Sequence, residues 1–170
     1  IMMIFFIFLY YLVFASTLFL AKHNLPYWCL AISIIISLVQ LLLLKKDLNN
    51  FNLIKYLILF SSVGYSVDCL LSFSQQITFY SNPWQPLAAP WILALWFNFA
   101  VLCLGIKSIL VTLKKYLFII AALGFPLSYY SGASVGIATF NNDIYSIMIQ
   151  GALWSIIFPI IFKKLILKVE

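Results

Sequence analysis

Apolar residues fall in six long runs separated by short polar breaks: 2–20, 26–44, 53–73, 90–110, 116–138 and 144–162. A helix needs roughly 20 apolar residues to cross a bilayer, so each run predicts a transmembrane helix. The first run is longer than the 7–15 residues usual for a signal-peptide core and reads as a retained helix. Its stop is Ala21-Lys22-His23-Asn24. Pro26 and Pro90 open the second and fourth runs, where a first helical turn tolerates a missing N–H. Lys45-Lys46-Asp47 and the linker Leu48-Asn49-Asn50-Phe51-Asn52 separate the second run from the third. The longest connection, 74–89, is uncharged and carries Tyr80, Pro83, Trp84 and Pro86. The expected fold is all-α: a polytopic bundle of six transmembrane helices forming one integral membrane domain over 1–170.

Composition turns that pattern into an exclusion. Of 170 residues, 65% are hydrophobic and 8% charged, against about 45–50% and 25% in soluble domains. No single core of this length hides so much apolar surface from water, which rules out a water-soluble enzyme. The net charge of +6 comes from ten lysines and no arginine. They sit singly or in pairs beside the apolar runs, so they anchor helices in a lipid bilayer and imply no nucleic-acid partner. With six crossings, nine lysines gather on one side and Lys22 alone on the other. The positive-inside rule then places both termini in the cytoplasm. Trp28, Trp84 and Trp91 are expected at the outer interface, and Lys107 is expected to snorkel from the end of the fourth helix. Cys29, Cys69 and Cys103 lie inside apolar stretches without CxxC spacing and read as buried residues, not as a disulfide or metal framework.

Asp68 is the one acid inside a run. Ser61, Tyr65 and Ser72 share its helical face, and this stripe must point into the bundle or a wet cavity, because hydrocarbon is costly for a carboxylate. Depth arithmetic at 1.5 Å per residue brings Asn98, Tyr129, Tyr130 and Gln150 close to the level of Asp68, as a polar layer in the outer half of the bundle. Both a functional pocket and interhelical glue fit that layer. In the fifth run Gly124, Ser128, Gly132 and Gly136 repeat every four residues, a small-residue ridge expected to pack against another helix of the same chain. Pro126 is expected to kink that helix, and Leu117 to face lipid or the interface. The chain holds one histidine, His23, and no HExxH, GxSxG, Walker A or GxGxxG. No catalytic residue, metal site or cofactor is assigned.

Three stretches carry a resemblance. Gly64-Tyr65-Ser66-Val67-Asp68-Cys69-Leu70-Leu71 is similar to a Gly-x-x-x-Asp-x-Leu-Leu segment. Pro90-Trp91-Ile92-Leu93-Ala94-Leu95-Trp96-Phe97-Asn98-Phe99-Ala100 is similar to a Pro-x-Trp-x-Leu-x-Leu-Trp-x-x-Phe-Ala run. Gly124-Phe125-Pro126-Leu127-Ser128-Tyr129-Tyr130-Ser131-Gly132-Ala133 is similar to a Gly-x-Pro-Leu-x-Tyr-x-x-Gly-Ala run. Together they resemble a family of small bacterial inner-membrane proteins, the domain of unknown function 2878. The resemblance covers the chain from Gly64 onward and departs at Gly105, Ile106 and Lys107, where family members often carry Arg and His. It implies a multi-pass protein of the bacterial inner membrane and supplies no activity.

The leading expectation for function is a small carrier or substrate-binding membrane subunit for a small or lipid-like solute. A membrane assembly or scaffold protein with a protein partner comes second. A lipid-modifying enzyme using Asp68 comes third.

Overall fold

The computed structural model describes residues 2–44 and 50–169. The Lys45-Lys46-Asp47 stop, Leu48, Asn49 and Glu170 lie outside the described residues. Seven α-helices are formed among the described residues: α1 (Met2–Lys22), α2 (Pro26–Leu44), α3 (Asn50–Phe73), α4 (Pro90–Gly105), α5 (Lys107–Thr112), α6 (Leu117–Val135) and α7 (Asp143–Lys164). Five stretches are long and apolar enough to cross a bilayer: Met2–Lys22, Pro26–Leu44, Phe51–Phe73, Lys114–Val135 and Asp143–Lys168. α4, at 16 residues, is a shorter apolar helix.

α2 is turned inside out relative to a helix of a soluble protein. α2 buries Cys29, Ser33, Ser37 and Gln40, while Ile34, Ile35, Leu38, Val39, Leu42 and Leu43 point outward. Water would reverse that arrangement; lipid favours it, because hydrocarbon solvates leucine as well as a core does and offers nothing to an amide. The chain is a membrane protein, and the buried polar side chains of α2 bond to neighbouring helices.

α4 is the central post, packed against α1, α2 and α3. Paired contacts give the directions. Tyr56 and Tyr65 of α3 donate hydroxyl hydrogen bonds to the carbonyls of Ala100 and Ala88 at 2.9 and 2.7 Å, an order that runs α3 and α4 antiparallel. Ser33 donates to the Ala94 carbonyl at 2.7 Å and Ser37 accepts from Asn98 at 2.9 Å, so α2 and α4 run parallel. Cys29 bonds to the Thr17 carbonyl and Gln40 to that of Phe6, which sets α1 antiparallel to α2.

Several boundaries differ from the sequence expectation. The fourth run is broken at Ile106, so that α4 ends at Gly105 and α5 continues the run. A Cβ on Gly105 would collide with the ring of Phe6, and glycine there lets α1 lie directly against the post. α6 stops at Val135 and not at 138, because Gly136 adopts a left-handed conformation (φ 84°). The Ile137 amide then bonds the Gly132 carbonyl at 3.1 Å, closing the helix and releasing the chain into a strand. That strand, β2 (Ala138–Phe140), pairs antiparallel with β1 (Ile77–Phe79), Thr78 opposite Thr139. This short ribbon, within a fold that is otherwise all-helical as expected, ties the long connection to the end of α6. Trp91 is buried beneath the connection and not set at the interface; its indole donates to the Tyr80 carbonyl at 3.0 Å. Trp28 is exposed. Leu117, expected at the lipid face, is buried.

Candidate functional site

Asp68 is 1% exposed and is held by two helices other than its own. The Trp96 indole of α4 donates to Oδ2 at 2.5 Å, and the Tyr129 hydroxyl of α6 donates to Oδ1. Local sequence prepares both bonds. A Cβ on Gly64, one turn before Asp68, would overlap the Trp96 ring, so glycine opens the notch in which the indole lies. Trp96 is further fixed by stacking on Trp154 at 4.7 Å and on Phe125 at 5.6 Å between ring centres. Asp68 lies five residues before the end of α3, Trp96 six after the start of α4 and Tyr129 six before the end of α6. At about 1.5 Å per residue, all three sit about 8–9 Å from the ribbon end of the bundle. The three stretches that carry the resemblance thus meet at one carboxylate.

The rest of the expected layer divides. Asn98 is buried but faces away from Asp68: its amide donates to Ser37 at 2.9 Å and to Gln40 at 3.0 Å. Residues two apart on a helix are about 200° apart, so Trp96 and Asn98 serve opposite sides of the same post. Tyr65 reaches the Ala88 carbonyl, and Ser72 that of Leu87 at 3.4 Å, both under the long connection. Ser61 and Gln150 are buried, and their side-chain polar atoms have no hydrogen-bond partner among the described residues. Tyr130 is 55% exposed and takes no part in the cluster. The sequence reading missed Trp96, Ser37 and Gln40. Ser33, Ser37 and Gln40 form a polar stripe of the kind that singled out Asp68, and the same rule would have found them. Trp96 had a subtler signal, the gap left by Gly64.

The small-residue ridge is not the packing seam expected of it. A Cβ on Gly124 would meet nothing within 4 Å, and one on Gly132 would make only ordinary contact with Ile137. Gly136 is the left-handed helix end, and the exposed Ser128 hydroxyl bonds the Gly124 carbonyl within its own helix at 2.9 Å. The close approach between α6 and α7 occurs elsewhere. Pro126 cannot donate to the Ala122 carbonyl four residues back. That free oxygen faces Gly151 of α7, where a Cβ would stand 2.9 Å from it.

Gly124, Ser128 and Gly132 instead line a groove of about 440 Å³ between α1 and α6, floored by α4. Tyr10 and Phe14 belong to the α1 wall, Trp96 and Phe99 to the floor, and Asp68 is its one acid among the described residues. Phe79 and Ala138 of the ribbon close one end. Tyr11, which also lines the groove, is 63% exposed in the middle of α1. The volume falls in the usual range for small-molecule sites, about 300–1,000 Å³. No group of three or more His, Cys, Asp and Glu capable of holding a metal occurs among the described residues.

The family model described as "Protein of unknown function (DUF2878)" matches residues 3–160. No curated protein and no solved structure matches the chain.

Proposed function

Since the chain belongs to the DUF2878 family, a family of unknown function, we propose its role from its own geometry: a carrier or substrate-binding membrane protein for a lipid-like solute. One observation carries the reading. A buried carboxylate faces an apolar groove that the exposed Tyr11, in the middle of α1, also lines. A solute dissolved in the bilayer enters between α1 and α6 without crossing water, lays its apolar part along α4, and brings its polar end to Asp68. Tyr129 and Trp96 hold the carboxylate in place by bonds from neutral groups.

Six crossings, with both ends on the cytoplasmic side of a bacterial inner membrane, fit this reading. α4 alone spans about 24 Å, short of the roughly 30 Å hydrocarbon core, and α5 extends it. The helix directions and the nine-to-one lysine split support the same count.

The test is binding in lipid nanodiscs of a brominated long-chain alcohol, which quenches tryptophan on contact. Saturable quenching is expected, weakened about tenfold or more by Ser128→Phe, which fills the groove without entering the helix seams. Quenching that rises without saturation and equally in both proteins, for this alcohol and for the amine of the same chain alike, removes the carrier reading. A second reading, a scaffold in which Asp68 only ties α3 to α4 and α6, draws on the same two hydrogen bonds. It gains if the groove binds nothing and Asp68→Asn still lowers the melting temperature.

A further inference from the structure

We propose that the occupant of the groove is a lipid-soluble amine, with its ammonium on Asp68 and its chain along α4. This rests on the groove reading above and adds the chemical class of the ligand.

Charge is the first ground. Asp68 lines the groove, and among the described residues no Lys, Arg or His does. Its two partners, an indole and a phenol, give hydrogen bonds but no positive charge. A carboxylate buried in hydrocarbon ionises only where a cation balances it, and with no cationic side chain among the described residues of the groove, the cation comes with the ligand. Geometry is the second ground. A carboxylate accepts at about four lone-pair positions; Trp96 and Tyr129 occupy two, which leaves two for the N–H groups of an ammonium. The walls are the third. Tyr10, Trp96, Phe99, Phe125 and Tyr129 line the same space, and aromatic faces attract an organic cation while carrying no formal charge themselves.

The alternatives fit worse. An acidic headgroup would meet Asp68 with no basic side chain among the described residues of the groove to balance it. An alcohol would complete a hydrogen bond but supply no charge to favour the ionised carboxylate. Length also suits a chain-bearing amine: the α4 residues that floor the groove run from Trp91 to Cys103, about 18 Å along the helix. Across from them Gly124, Ser128 and Gly132 keep the α6 wall low.

The experiment compares a brominated long-chain primary amine with the alcohol of the same chain, in nanodiscs of zwitterionic lipid, each titrated by its mole fraction in the bilayer. Wild type is expected to bind the amine at least about tenfold more tightly than the alcohol, since a charge-assisted bond outweighs a neutral one. In Asp68→Asn the two affinities should converge, the amine weakening and the alcohol unchanged. Equal affinities in wild type, or a preference that survives Asp68→Asn, overturns the amine assignment while leaving the groove reading standing. Saturable binding of neither probe overturns both. Because the wild-type comparison needs no variant, the proposal stays falsifiable even where Asp68→Asn folds poorly.

Discussion

A carboxylate at membrane depth is costly unless its lone pairs are met, and Asp68 is met by residues from two other helices. Each contact is set by a neighbour with a simpler job. Gly64 supplies only a missing side chain, yet it decides where Trp96 lies. Gly64→Ala should therefore displace the indole and lower stability by about 1–3 kcal/mol, the usual cost of overpacking. A melting curve in detergent and a shift in tryptophan emission would check it. Tyr129→Phe keeps the ring and removes one donor, leaving Asp68 Oδ1 unmet; about 1–3 kcal/mol of destabilisation is expected. Wild-type melting of Tyr129→Phe would mean that another group satisfies that oxygen. Asp68 and Tyr129 were legible in the sequence because a polar group in an apolar run declares itself. Trp96 was not, because an indole is ordinary in such a run and its partner depends on which way α4 is rotated.

At the scale of elements, four-residue spacing located the small side chains of α6 but not their purpose. Spacing says that residues share a face; only a neighbour makes that face a seam. The neighbour stands instead at Gly151, opposite the carbonyl that Pro126 leaves free. Gly151→Leu should thus force α7 away from α6 and lower the melting temperature sharply. Gly132→Leu, opposite ordinary contacts only, should fold and lose groove binding. Leu117→Ala, which empties a buried position, should cost more stability than Gly132→Leu, toward the low end of about 2–5 kcal/mol because lipid replaces part of the burial. Thermal melts of the three variants in one detergent give the order directly; Gly132→Leu melting lowest would restore the ridge as a seam. The ribbon is the other lesson at this scale. Gly136 read as one more member of the ridge, whereas its positive φ ends the helix and starts β2.

For the whole molecule, the expected topology is open to reporter fusions. Those after Lys46, Lys115 and Glu170 should read cytoplasmic, and those after His23, Trp84 and Asn142 external. An external reading after Glu170 would overturn six crossings. The sequence by itself determined that this is a helical membrane protein, where its long helices lie, and which acid is out of place in them. Those follow from composition and run length, because a bilayer imposes a thickness and a penalty on unmet polar groups whatever the fold. It did not determine which polar groups meet. Asp68, Asn98 and Gln150 were at one depth in the sequence, but Asp68 joins α4 and α6, Asn98 joins α2, and Gln150 joins neither cluster. Depth is a property of one helix and can be counted along it. Convergence depends on the rotation of each helix about its axis, and with helices apolar almost all round, that rotation is fixed only by contacts between them, such as Gly64 on Trp96, Gly105 on Phe6 and Gly151 on Ala122.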